Sequence, residues 1–205
     1  MSQLPLPIAW SRRGGRESLL VHEGNRAAVA ALRTPALWPS HCAILAGPAR
    51  SGRSLVGELV ESEGGITVID DADEAPEQSL FHAWNNAKDA GHTLLLIARE
   101  APPVWQVALP DLRTRLATAA IVRIEPPDEA VSAALIAHGL ELAGSAFAPD
   151  VPEFLARRTA RCYEAVDAVV ARLNAVSLSS GGKLSIASAR QALCNNPVLD
   201  ETPDQ

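Results

Sequence analysis

The sequence predicts an α/β fold built on a parallel sheet, followed by a smaller helical segment. Between residues 41 and 124, short apolar runs alternate with segments of helical character. Runs that are apolar throughout are typical of strands covered on both faces of a parallel sheet. After Pro126-Pro127, every remaining segment with a regular pattern has the character of a helix. We therefore expect four segments: an extended start (1–16), an α/β core (17–126), a helical lid (127–194) and a polar, acidic tail (195–205) that is disordered.

The chain starts with alternating apolar residues and prolines, Gln3-Leu4-Pro5-Leu6-Pro7-Ile8. Proline fixes φ and disfavours a helical conformation at the preceding residue, so this stretch is extended. Such a segment can lie in an apolar groove of a partner, with Leu4 and Leu6 as anchors. The alternative is an ordinary frayed terminus that packs on its own domain.

A glycine-rich loop follows the first predicted strand (41–46), which itself comes after a short helix (25–32). The strand ends in Gly47, four residues intervene, and Gly52, Arg53 and Ser54 open the next helix. This is the spacing of a phosphate-binding P-loop, in which backbone N–H groups and a helix N-terminus surround an anion. Arg53 stands where a lysine is expected, which replaces a compact charge with a planar fork. In such loops the serine hydroxyl binds magnesium, the role expected of Ser54.

The second predicted strand (66–69) leads directly into the acidic pair Asp70-Asp71. Downstream of a P-loop, one carboxylate would hold magnesium through water and the next would polarise the attacking water. The alternative is that the two residues only cap a helix or close a turn.

The remaining elements follow in order. A helix (76–90) is expected to turn Leu80, Phe81 and Trp84 inward, and strands are expected at 93–98 and 121–124. Between these strands, a short helical segment (107–116) carries Asp111, Arg113 and Arg115. In the lid we expect helices at 128–143 (capped by Asp128), 149–159, 162–176 and 185–194 (capped by Ser185), with a polar loop at 177–183.

Composition excludes some classes of function. The formal net charge of −6 argues against binding nucleic acid through bulk electrostatics. The three cysteines have no metal-ligand spacing, so we expect reduced thiols. The chain shows neither an apolar run long enough to span a membrane nor a signal peptide, and we expect a cytoplasmic protein without a membrane partner.

Together these segments resemble the AAA+ domain of DnaA-type replication initiators, and more closely their Hda-like relatives. The resemblance is carried by Leu20-Val21 with Asn25, by the P-loop with Asp70-Asp71, by residues 101–103 followed by 109–116, and by residues 125–128. It implies a three-layer P-loop core with a helical lid. Since the interval between Ser54 and Asp70 is short, we expect one edge strand to be missing. Only a short tail follows the lid, whereas DnaA carries a DNA-binding domain there, so the resemblance favours the Hda-like branch without sequence-specific DNA binding.

The resemblance also implies a function. The segment with Gln3, Leu4, Leu6 and Pro7 is similar to the peptide by which Hda-like proteins bind the sliding clamp of the replicative DNA polymerase. Such a protein meets ATP-bound DnaA and promotes hydrolysis of its ATP, which blocks re-initiation. Arg115 falls on the arginine finger of the family, which acts in trans, with Arg113 as the second candidate. The alternative for Arg115 is a surface ion pair with Asp111, four residues earlier.

The departures from the family concern the nucleotide site. The resemblance assigns nucleotide contacts to Gly47, Gly52, Arg53, Ser54, Asp70 and Tyr163, magnesium to Ser54 and Asp70, and a vestigial catalytic role to Asp71. Ile97 stands where relatives have a small polar sensor, and Tyr163 takes the place of the sensor arginine of the lid, with Arg161 two residues away. Because catalysis of phosphoryl transfer depends on positioning and charge, these changes weaken self-catalysed hydrolysis. We expect a site that holds ADP, or ATP with magnesium, or stands empty.

Two other functions remain open at this point. One is an autonomous P-loop ATPase of the initiator or loader type, which would turn over ATP by itself. The other is a DNA-binding replication factor, against which the acidic balance counts. Whether the protein forms a homodimer is also left open.

Overall fold

The computed structural model describes residues 19–193. The predicted clamp-binding peptide (1–16) and the predicted tail (195–205) lie outside the described residues. The described residues divide into two compact units, 19–125 and 126–193, which we treat separately. The four segment boundaries expected from the sequence stay predictions.

The unit 19–125 is built on a parallel sheet. Its strands are β1 (Cys42–Ala46), β2 (Ile66–Ile69), β3 (Thr93–Ala98) and β4 (Ala120–Arg123), in the order β2-β3-β1-β4. Because all strands point the same way, their carboxyl ends lie at one edge of the sheet. The predicted parallel α/β class is confirmed.

The strand β2 forms one edge of this sheet. Within the described residues, the helix after the P-loop leads straight into β2, without a strand in between. This agrees with the missing edge strand expected from the short interval between Ser54 and Asp70.

Helices cover both faces of the sheet, which gives the expected three layers. They are α1 (Glu23–Leu32), α2 (Arg53–Glu61), α3 (Glu77–Asp89) and α4 (Pro110–Leu116), with a 3-10 turn at Pro35–Leu37. Since side chains alternate along a strand, β3 turns Leu94 and Leu96 into one core cluster with Leu80 of α3 and Leu112 of α4. Its neighbour Ile97 points to the other face, against α2.

The unit 126–193 is helical. It contains α5 (Glu129–Leu142), α6 (Val151–Ala156), α7 (Tyr163–Ser180) and α8 (Ile186–Leu193). These helices share one apolar core, whose fully buried members include Ile136, Leu140, Leu155 and Leu173. The predicted cap of α5 is present, because the Asp128 carboxylate accepts a hydrogen bond from the Val131 amide at 2.7 Å. None of the helices in residues 19–193 is long and apolar enough to cross a membrane.

Two predicted elements in this unit have the wrong bounds. The helix expected at 149–159 is shorter and spans Val151–Ala156. The loop expected at 177–183 is helical up to Ser180, and α7 ends only at Gly181, which has a φ of +62°. Serine has a modest helix propensity but does not stop a helix, whereas glycine accepts the left-handed conformation that closes one.

Candidate nucleotide site and arginine surface

The loop between β1 and α2 has the backbone that a P-loop requires. Gly47 leaves β1 so close to Ile124 that an added Cβ would lie 3.1 Å from its carbonyl oxygen. Arg50 and Gly52 have positive φ values of +63° and +85°. Left-handed residues let the chain curl tightly, and glycine does so without strain. The sequence spacing therefore corresponds to a curled loop that ends at the first turn of α2.

Two polar side chains in this loop each have a buried atom without a hydrogen-bond partner among residues 19–193. Arg53 is the first residue of α2, and its Nη1 is buried without a hydrogen bond. The hydroxyl of Ser51 is likewise buried and makes no hydrogen bond. Buried polar atoms in native proteins normally have partners. Unsatisfied donors beside a helix N-terminus therefore fit an anion such as a phosphate group.

The acidic pair lies at the same edge of the sheet, at the end of β2. Both Asp70 and Asp71 are exposed, and Ser54 is exposed as well. Asp71 has a φ of +48°, and its amide donates to Asp70 Oδ1 at 2.9 Å. Asp73 supports this segment, because its Oδ2 accepts a hydrogen bond from the Arg99 amide at 3.1 Å. Carboxylate and hydroxyl oxygens suit magnesium, which usually takes few protein ligands and completes its shell with phosphate and water.

No cluster of three or more His, Cys, Asp or Glu side chains that could hold a metal ion occurs in residues 19–193. If Ser54 and Asp70 bind magnesium as predicted, the phosphates of a bound nucleotide would thus supply further ligands of the ion. Their roles, and that of Asp71, stay predictions.

The strand between these two features ends in an apolar side chain. β3 separates β2 from β1, and Ile97 near its end is buried opposite Leu45 of β1. An added Cβ on Gly57 of α2 would lie only 2.5 Å from Ile97 Cδ1, so the isoleucine fills the space that a larger helix residue would take. An isoleucine cannot donate or accept a hydrogen bond, and it cannot orient a water molecule at this edge.

Arg115 lies on α4 and contacts α3. Its guanidinium carbon is 4.2 Å from the ring centroids of both Phe81 and Trp84. Its Nη1 donates to Asn85 Oδ1 at 2.7 Å. Asp111 forms no ion pair with it in the described part of the chain. The surface ion pair considered as the alternative for Arg115 is thus replaced by aromatic and amide contacts.

Arg113, the second candidate finger, is exposed on the same helix. The only hydrogen bond of its side chain within residues 19–193 is a long one of 3.5 Å from Nη2 to the Ala108 carbonyl oxygen. The segment before α4 is fixed by Glu77, whose carboxylate accepts the amides of Ala108 and Leu109 at 2.7 and 2.6 Å.

Sequence reasoning found part of this surface. It placed Phe81 and Trp84 on the inward side of α3, and both are half-buried. It missed Asn85 and Glu77, which carry the polar contacts. The helical period could have indicated Asn85, because residues 81, 84 and 85 share a face of α3.

Tyr163, the predicted sensor position, is the first residue of α7 and is buried within the helical unit. Arg161, two residues earlier, is exposed. A role for either residue in nucleotide binding stays a prediction. Gln3, Leu4, Leu6 and Pro7 lie outside the described residues.

No protein-family model matches the sequence. Solved structures do match. Domain III of the replication initiation protein DnaA from Thermotoga maritima has a TM-score of 0.71 at 18% identity, over 87% of this chain and 95% of that one. AMPPCP-bound DnaA from Aquifex aeolicus gives 0.64 at 15% identity, over 83% and 67%. The Holliday junction branch migration motor RuvB from Thermotoga maritima gives 0.62 at 10% identity, over 89% and 70%. The chain therefore has the α/β fold found in domain III of DnaA and in RuvB.

Proposed function

We propose that this protein regulates replication initiation negatively, by binding the sliding clamp and stimulating hydrolysis of DnaA-bound ATP. The observation that carries the proposal is the contrast between its two candidate sites. Arg115 is held in a half-buried position by a hydrogen bond to Asn85. At the sheet edge beside the protein's own nucleotide loop, β3 instead places the buried apolar side chain of Ile97. An arginine supplied in trans can raise the rate of phosphoryl transfer by roughly 10³–10⁵.

The DnaA-like fold supports this proposal, because a domain of similar shape can pack beside DnaA as a further DnaA domain would. Arg115 would then contact the nucleotide of the initiator and stabilise the charge that develops on its phosphates. The clamp-binding role of Gln3, Leu4, Leu6 and Pro7 is supported by sequence resemblance alone.

The nucleotide loop itself would hold ADP or ATP as a bound ligand without efficient turnover. Gly47, Gly52 and Arg53 would contact the phosphates, and Ser54 with Asp70 would hold magnesium. The orphaned Nη1 of Arg53 supports this part. Nucleotide binding by similar proteins is compatible with it, since two of the matched DnaA structures contain AMPPCP. Titration calorimetry with ADP checks it: the Arg53→Ala variant is expected to bind at least tenfold more weakly, an ordinary loss for a charged hydrogen bond.

The proposal is tested by measuring ATP hydrolysis by DnaA with and without this protein and DNA-loaded clamp. We expect stimulation only when all three proteins are present. Deleting residues 1–8 should remove clamp binding in a pull-down and stimulation with it. A truncated protein that binds the clamp as well as the full chain would contradict the clamp role.

The second candidate is an autonomous ATPase, which the complete P-loop backbone favours. It predicts ATP turnover by the protein alone that is lost in the Asp71→Asn variant. If no turnover above background is found, this candidate is excluded.

A further inference from the structure

Within about one turn, α3 presents to Arg115 two aromatic rings, of Phe81 and Trp84, and the side-chain amide of Asn85. Phe81 and Trp84 each place a ring centroid 4.2 Å from the guanidinium carbon, and Asn85 accepts a hydrogen bond from Nη1 at 2.7 Å. A guanidinium cation is attracted electrostatically to the face of an aromatic ring. The three contacts therefore restrain both the plane and the rotation of the Arg115 head group.

These contacts leave most of the donor capacity of Arg115 unused. A guanidinium has five N–H groups in its plane, and within residues 19–193 only Nη1 makes a hydrogen bond. The two rings lie 4.2 Å from the guanidinium carbon, whereas a phosphate binds to the N–H groups in the plane of the guanidinium. The ring and amide contacts already fix the rotamer of Arg115, and its other N–H donors make no hydrogen bond within residues 19–193. Such a side chain can bind an anion without a further loss of conformational entropy.

The helix that carries Arg115 is also fixed on α3 at a second point. The Glu77 carboxylate accepts two amides just before α4 begins, those of Ala108 and Leu109. Glu77 lies in the first turn of α3 and Asn85 two turns later, so α3 holds α4 near both of its ends.

We propose that Phe81, Trp84 and Asn85 are positioning residues that present the remaining N–H donors of Arg115 to a phosphate group of a nucleotide bound by a partner protein. The proposal rests on the proposed function and adds to it the residues that set the orientation of the finger. Asn85 fixes the rotation through its side-chain oxygen, and the two rings fix the plane.

The test uses full-length variants at two neighbouring positions of α3. Asn85→Leu removes the acceptor at nearly constant size, Asn85→Asp keeps an acceptor, and Asn86→Leu is the matched control at an exposed position. In the clamp-dependent assay we expect Asn85→Leu to lower the maximal stimulated rate about tenfold, the usual effect of one hydrogen bond to a charged group. The concentration for half-maximal stimulation should stay within about twofold, because docking is retained. Asn85→Asp should restore the rate, and Asn86→Leu should match the wild type.

A second readout detects the ring contacts without any activity. Rings that lie over a guanidinium shift its Nε–H proton resonance upfield, and the Arg115 signal is identified by its loss in Arg115→Lys. We expect this upfield shift in the wild-type spectrum and its reduction in Trp84→Leu. A wild-type signal at the ordinary position of a solvated arginine would overturn the proposal.

The outcomes distinguish the positioning role of the α3 residues from the proposed function of the protein. If the wild type stimulates hydrolysis and Asn85→Leu behaves as Asn86→Leu does, the positioning role is overturned while the proposed function stands. If the wild type gives no stimulation with DnaA and clamp, the proposed function fails, and the phosphate target assigned to Arg115 fails with it.

Discussion

Two regions of the α/β unit, the P-loop edge of the sheet and the α3–α4 surface, place an arginine in different surroundings. The sheet edge at the P-loop keeps the curled backbone and the cation of Arg53, but the strand between the loop and the acidic pair ends in the buried Ile97. At the α3–α4 surface, by contrast, Arg115 has an amide acceptor and two rings as neighbours. Catalysis of phosphoryl transfer needs groups that are both charged and positioned. The first region combines a curled loop with an apolar strand end, and the second holds a positioned charge at the surface.

The strongest change is expected for a substitution at the α3–α4 surface. The Arg115→Ala variant should lose stimulation of DnaA-bound ATP hydrolysis by about 10³-fold or more, because the finger supplies charge stabilisation in the transition state. The measurement is the stimulated rate in the presence of DNA-loaded clamp, and clamp binding in a pull-down should not change. Arg113→Ala, on the same helix, is the control and should stay within about threefold. A loss in Arg113→Ala but not in Arg115→Ala would exchange the roles of the two arginines.

The next effect concerns the support of that surface. Glu77→Ala removes the acceptor of two backbone amides, at Ala108 and Leu109. Hydrogen bonds to charged groups typically stabilise by about 1.5–3 kcal/mol, so we expect the variant to lose about 2 kcal/mol in the free energy of unfolding, as measured in urea. Gln78→Ala, at the adjacent exposed position, should change little. Equal stability of the two variants would show that the carboxylate does not hold the start of α4.

A smaller effect sharpens the description of the P-loop edge. In Gly57→Ala the new Cβ meets Ile97 Cδ1, and we expect overpacking to exceed the gain in helix propensity and to cost about 1 kcal/mol net. In an Ile97→Val background, which lacks that methyl group, the same change should cost less, because only the contact with Val68 Cγ1 at 3.2 Å stays close. Thermal unfolding of the four proteins of this double-mutant cycle gives the coupling energy. Additive effects would mean that the two residues do not share the space.

The last effect, no larger than the previous one, concerns β1, the strand that leads into the P-loop. Cys42 starts β1, and burial raises the pKa of its thiol from 9.0 to about 12. Above pH 9 the unfolded chain loses this proton while the folded chain retains it, so stability falls as the pH rises. We expect a loss of about 1 kcal/mol between pH 9 and 10, seen in urea unfolding. The Cys42→Ala variant should lack this part of the slope, and an unchanged slope would assign it to other groups.

Much of the fold could be predicted because its signals are local. The apolar runs placed β2 and β3 at their observed bounds, and the P-loop spacing placed Gly47 and Gly52 where the backbone needs them. The cap at Asp128 was likewise visible in the sequence. These features depend on the periodicity of side chains along a segment and on the φ preferences of individual residues. Both can be read from a short stretch of sequence.

Local sequence patterns were thus enough to predict the α/β class and the strand positions, and to single out Arg53, Ile97 and Arg115. The contacts of Arg115 and Ile97 became visible only in the folded chain. Asn85 meets Arg115 across 30 positions of sequence, and Ile97 fits against Gly57 of α2. Such contacts depend on sheet register and on the packing of helices against the sheet, and no local pattern encodes which distant side chain fills a given space.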